Sequence, residues 1–192
     1  LDGKILKKIN NLLKNNKNFT EDKIFSLNHD FDEKLIIIFF SNSNRELEFE
    51  KLGAKFFDYL KINEINDIYI KSPLSNFTKY FSSFIHGVEL KSYEFNIYKS
   101  KKNKKIINIY THKKYLSKTG EKLNAILKGV NFTRDLVSEP GNILHPDEYA
   151  KRLSKLKNIG LKVSIYDEKK LKKMGCYSLL GVGQGSIRGS YL

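Results

Sequence analysis

The side chains that could carry out acid–base, nucleophilic or metal chemistry are scattered along this sequence. Asn28, Asp30 and Asp32 alternate like the start of a calcium-binding loop, but the glycine and the closing glutamate of such a loop are absent. Ser100 and Ser186 have no base at a recognisable spacing. The histidines lack the H-E-x-x-H spacing that holds a metal on one helix face; they are His29, His86, His112 and His145. The sequence therefore predicts no catalytic, metal-binding or substrate-binding residue in this chain.

The glycine-rich segment 181–186, GVGQGS, is the nearest approach to a phosphate-binding loop. The dinucleotide fingerprint G-x-G-x-x-G lies between a strand and a helix. Here the third glycine comes one position early, and residues 186–192 contain no helix start. A structural tight turn is the favoured interpretation.

The segment 139–142, EPGN, contains a carboxylate and an amide, with no neighbouring acid, histidine or nucleophile. Pro140 stops a helix, and Gly141 permits backbone angles that other residues avoid. These residues predict a structural corner. After the corner, His145 precedes Pro146 at a predicted helix start, and histidine is a poor helix cap.

The charge of the chain is strongly positive, +14 over 192 residues, yet only four of its 35 basic residues are arginines. Proteins that read base edges favour arginine, so the small number of arginines argues against sequence-specific DNA recognition. Solvated surface lysines are the favoured interpretation, while loose phosphate binding stays open. The densest run, residues 99–105, is predicted to be a solvated hairpin tip flanked by Tyr98 and Tyr110. The alternative is a nucleic-acid contact through Lys99, Lys101, Lys102, Lys104 and Lys105.

The composition places the chain among globular proteins, because 40% of its residues are hydrophobic. No stretch reaches the roughly 18 unbroken apolar residues of a membrane span. The single Cys176 excludes an internal disulfide and fits a reducing compartment.

Alternating helical and strand patterns favour an α/β layered fold up to residue 139. Strands are predicted at 24–27, 35–40 and 68–70, with 35–40 as a central strand covered by helices. Residues 93–98 and 106–110 are predicted to form a hairpin. Ser43 and Glu46 predict a capping box for a helix that buries Phe49, Leu52, Phe56 and Leu60. Further helices are predicted around 5–13, 77–88 and 123–137.

The pattern restarts after Pro140 as helix, strand and helix. Pro146 begins a helix that buries Tyr149, Leu153 and Leu156 and ends at Gly160. Residues 161–166 alternate as a strand. Asp167 then caps a lysine-rich helix that ends at Gly175.

Four segments in order resemble the leucyl aminopeptidase family. They are 51–54 (KLGA), 87–100 (GVELKSYEFNIYKS), 133–148 (TRDLVSEPGNILHPDE) and 179–186 (LLGVGQGS). The second resembles a strand-forming stretch late in the N-terminal domain of the family, and the last two resemble the junction between its two domains. Gly141, His145 and the pair Cys176-Tyr177 depart from the residues usual in the family.

The resemblance implies an N-terminal α/β domain similar to macro domains at 1–114, an interdomain helix at 115–139, and the truncated opening of a catalytic domain at 140–192. It places the metal ligands and the catalytic lysine and arginine beyond the 181–186 loop. The complete enzyme would be a cytoplasmic hexamer that uses two zinc or manganese ions to release N-terminal residues, preferably leucine, from peptides. This segment would serve domain organisation and oligomer assembly.

A second hypothesis stays open at this point. A macro-like domain with a charge of +14 could act as a stand-alone module that binds nucleic acid or a nucleotide. The sequence that follows residue 192 would discriminate the two hypotheses.

Overall fold

The computed structural model describes residues 23–28, 34–40, 45–70, 75–100, 107–111 and 118–192, with six helical positions near the N terminus (3, 7, 8, 10, 11 and 14). The apolar positions on which the predicted first helix rests lie outside the described residues; they are Ile5, Leu6, Ile9, Leu12 and Leu13. The chain divides into two compact units, Leu1–Gly129 and Val130–Leu192.

The first unit contains helices and two small sheets, which confirms the α/β class. Its described elements are β1 (Lys23–Asn28), β2 (Lys34–Phe39), α1 (Glu46–Ile62), β3 (Asp67–Ile70), α2 (Ser75–Lys91), β4 (Asn108–Thr111) and the start of α3 (Lys118–Ser138). Strands β1 and β2 pair antiparallel, whereas β3 and β4 pair in parallel. Helix α3 runs across the boundary between the units at Gly129.

The core of the first unit lies between α1 and α2. The predicted apolar stripe of α1 is confirmed, because Phe49, Leu52, Phe56 and Leu60 are each at most 2% exposed. From α2, Phe84 is fully buried and its ring lies 5.4 Å from that of Phe56. Partly buried residues of all four strands pack against this core, including Ile24, Ile38, Ile68 and Ile109.

Two glycines set how closely α1 and α2 approach. A β-carbon on Gly53 would collide with the backbone carbonyl oxygen of Phe84, and one on Gly87 would collide with that of Glu50. Backbone atoms of a packed helix cannot move aside as a flexible side chain can. The two helices therefore pack with their backbones nearly in contact, and only glycine fits at either position.

The start of α1 differs from the predicted capping box. Arg45 occupies the N-cap position, and its side chain makes no capping hydrogen bond. Glu46 is consequently the first helical residue, whereas a capping box requires it to be the third. Ser43 lies outside the described residues.

The predicted strand at 93–98 and its hairpin are wrong. Helix α2 continues to Lys91, and the residues after it form irregular turns. The carboxylate of Glu94 accepts hydrogen bonds from Lys61 Nζ at 2.8 Å and from Asn96 Nδ2 at 2.9 Å, which ties this segment to the end of α1. Strand β4 pairs instead with β3, in the register Tyr69 to Tyr110.

The second unit consists of short helices, and its predicted strand is wrong. After the end of α3 come α4 (Pro146–Ser154), a 3-10 turn (Lys155–Ile159), α5 (Glu168–Lys173) and α6 (Tyr177–Gly183). Gly160 ends the 3-10 turn with φ of 88°, as predicted for a helix terminus. Residues 161–166 form no strand, because within the described residues the backbone of 162–165 finds no partner to pair with.

One predicted helix cap of this unit is present, whereas the glycine-rich segment differs from its prediction. The Asp167 side chain accepts a hydrogen bond from Lys170 N at 2.9 Å, which confirms the predicted cap of α5. The predicted tight turn at 181–186 is wrong in its first half, because Gly181 and Gly183 belong to α6, whose Leu180 is buried. The turn begins only at Gly183, whose carbonyl oxygen accepts from Ser186 N at 3.0 Å.

We expect Gly87→Ala to destabilise the first unit by about 1–3 kcal/mol, because the added methyl group forces the α1 and α2 backbones apart. The matched control is Gly129→Ala on α3, where an added β-carbon meets nothing within 4 Å. This control should stabilise the helix by about 0.5–1 kcal/mol. Urea unfolding of the purified chain measures both changes. A Gly87→Ala variant as stable as the Gly129→Ala variant would contradict the close crossing.

Candidate functional site

The side chains that could take part in acid–base or metal chemistry remain dispersed among the described residues. His86 is 4% exposed on α2, and its Nδ1 has no hydrogen-bond partner among the described residues. His29 and His112 lie outside the described residues. Across the described part of the chain, no three His, Cys, Asp or Glu side chains come close enough to hold a metal ion.

The lysine run is only partly visible in the structure. Lys99 is exposed in the turns that follow α2. Tyr98 and Tyr110 are each 54% exposed. The nucleic-acid contact stays a prediction, because the other candidate residues, Lys101, Lys102, Lys104 and Lys105, lie outside the described residues.

The most organised group of charges in the second unit surrounds the corner between α3 and α4. We call it the corner cluster, and its members are Glu139, His145, Asp147, Glu148, Arg152 and Arg188. Glu139 follows directly after α3, and its side chain is only 2% exposed. A carboxylate this well buried requires a cationic partner.

Arg152 supplies that partner through its planar fork of donors. Its Nη1 donates to Glu139 Oε1 at 2.7 Å, and its Nε donates to Glu148 Oε1 at 3.1 Å. Glu148 and Arg152 are one helical turn apart on α4, the spacing at which such pairs face each other. One guanidinium thus links the residue after α3 to the first turn of α4.

The backbone between the two helices turns at Pro140, as the sequence predicted for this corner. The carbonyl oxygen of Pro140 accepts hydrogen bonds from Ile143 N and Leu144 N, both at 2.9 Å. Helix α4 then begins at Pro146. His145 is its N-cap residue, and the His145 side chain makes no capping hydrogen bond. The predicted lack of a histidine cap is confirmed.

His145 instead contacts an acid on the first turn of α4. Its Nδ1 pairs with Asp147 Oδ1, and Arg188 Nη1 donates to Asp147 Oδ2 at 3.3 Å. Desolvation opposes ionisation of Asp147, but hydrogen bonds from His145 and from its own backbone N–H, with smaller contributions from the charges of His145 and Arg188, lower the pKa of this carboxyl. The carboxylate also lies at the positive end of the helix dipole.

The charged forms of Glu148 and Arg152 are also stabilised. The hydrogen bond from Arg152 lowers the pKa of Glu148, and hydrogen bonds to Glu139 and Glu148 raise the pKa of Arg152. A carboxyl whose pKa is lower when folded stabilises the fold above its unfolded pKa, and this contribution is lost as pH falls through the folded value. The corner cluster is therefore weakened as pH falls through the lowered pKa values of Asp147 and Glu148.

The partner of Glu139 is not evident from the sequence, because Arg152 lies thirteen residues further along the chain. One signal was available in the composition. Only four arginines occur among 35 basic residues, and Arg152 and Arg188 are two of them. Arginine can bridge two carboxylates with fixed geometry, which lysine cannot do. An arginine in a chain dominated by lysine therefore indicates such a contact.

The arrangement can fix the direction of the chain between α3 and α4. Glu139 and Glu148 share one arginine, and Glu148 Oε2 also lies 3.6 Å from Lys151 Nζ. Asp147 contacts both His145 and Arg188. Helices long and apolar enough to cross a membrane are absent from the described residues.

The family model that matches the chain covers residues 131–192, which include the whole corner cluster. Its description is "Cytosol aminopeptidase family, catalytic domain". The probable cytosol aminopeptidase of Phytoplasma australiense is 36% identical over 152 residues, which are 75% of this chain and 30% of the relative. The probable cytosol aminopeptidase of Caulobacter vibrioides is 35% identical over 150 residues, with 74% and 30% covered.

Solved structures show the same fold. A mutant of tomato leucine aminopeptidase superposes with a TM-score of 0.69 at 18% identity, covering 90% of this chain and 38% of that protein. The bottromycin maturation enzyme BotP superposes with a TM-score of 0.65 at 16% identity, covering 88% and 38%. At these identities the structures establish the α/β fold alone.

The chain belongs to the cytosol aminopeptidase family. This confirms the resemblance of the four segments in the sequence. The chain spans less than a third of the length of the curated relatives described here.

We expect Arg152→Gln to loosen the corner between α3 and α4, because it removes the guanidinium from the buried Glu139 carboxylate. Breaking a buried pair is costly, but Arg152 is itself 23% exposed. We therefore expect only a roughly tenfold rise in the equilibrium constant for local opening of α4. The matched control is Lys151→Gln, which removes the same charge from a 69% exposed side chain and should change little. Amide exchange of α4 measures both. Equal effects of the two variants would contradict the bridging role.

Proposed function

We propose that this chain is the N-terminal domain and the opening of the catalytic domain of a metallo-aminopeptidase. The complete protein would release N-terminal residues from peptides, with a preference for leucine. The observation that carries the proposal is the match of residues 131–192 to the catalytic domain of the family. The relatives named as probable cytosol aminopeptidases support the same assignment over three quarters of the chain.

The role of this segment is structural in our proposal. It organises the junction between the domains and contributes to assembly of a hexamer in the cytoplasm. The corner cluster supports this role, because Arg152 ties Glu139 at the end of α3 to the first turn of α4. Because these contacts fix the corner, the orientation of α4, the first helix after it, is set by residues of this chain.

Two divalent ions, zinc or manganese, are proposed for the complete enzyme. BotP, which shares the fold, has been solved in complex with manganese. Bound divalent metals supply a hydroxide nucleophile and polarise the scissile carbonyl. The described residues of this chain bring no set of metal ligands together, so they are proposed to support the metal site from outside it.

We expect the complete protein to hydrolyse leucine amide, to lose this activity with a chelator, and to regain it with manganese or zinc. N-acetyl-leucine amide is the matched control, because it lacks the free amine that an aminopeptidase requires. The 192-residue chain alone should hydrolyse neither compound. Hydrolysis of the acetylated compound, activity that resists chelation, or turnover by the chain alone would each contradict the proposal.

A further inference from the structure

We draw no further inference here: the strongest candidate, the exposed face of the β3–β4 sheet on which Tyr69 and Tyr110 lie side by side in register, carries none because nothing in the described part of the structure shows what covers it.

Discussion

The close crossing of α1 and α2 at Gly53 and Gly87 is the constraint on which the first unit depends. Because neither glycine has a β-carbon, the helix backbones approach until each glycine faces a carbonyl oxygen of the other helix. This approach brings the rings of Phe56 and Phe84 together in the core. Both glycines lie in the segments that resemble the family, so the resemblance there has a packing explanation. The four strands add their partly buried residues to this core.

The second unit is held together differently. Its short helices bury few large side chains, mainly Leu171 and Leu180, while several apolar residues stay exposed, among them Tyr177, Val182 and Ile187. Ion pairs and backbone hydrogen bonds connect its parts instead, from the corner cluster to the backbone hydrogen bonds between Tyr166 and Leu192. A unit of this size encloses little apolar surface.

Periodicity predicted where α1 to α5 lie, but it missed α6 and placed Tyr149 on a buried stripe of α4, where its side chain is 43% exposed. It also failed where contacts between distant residues decide the structure. The stripe of α1 was predictable, because four large apolar residues at helical spacing have one way to be buried together. Residues 93–98 alternate like a strand, but the ion pair between the Lys61 and Glu94 side chains connects them to α1 instead. The Glu139–Arg152 contact could not be read from spacing, since a turn at Pro140 brings the two together. The corner cluster as a whole depends on contacts between residues that are distant in the sequence, whereas the four segments were enough to recognise the family.

The first unit is stabilised by a buried apolar core, whereas the second is held mainly by charged and backbone contacts. Site-resolved hydrogen exchange on the 192-residue chain tests this difference most directly. The amides of Leu52 and Phe84 should exchange only through global unfolding of the first unit, and that of Leu180 at least ~100-fold faster. Equal or greater protection of Leu180 would contradict the account.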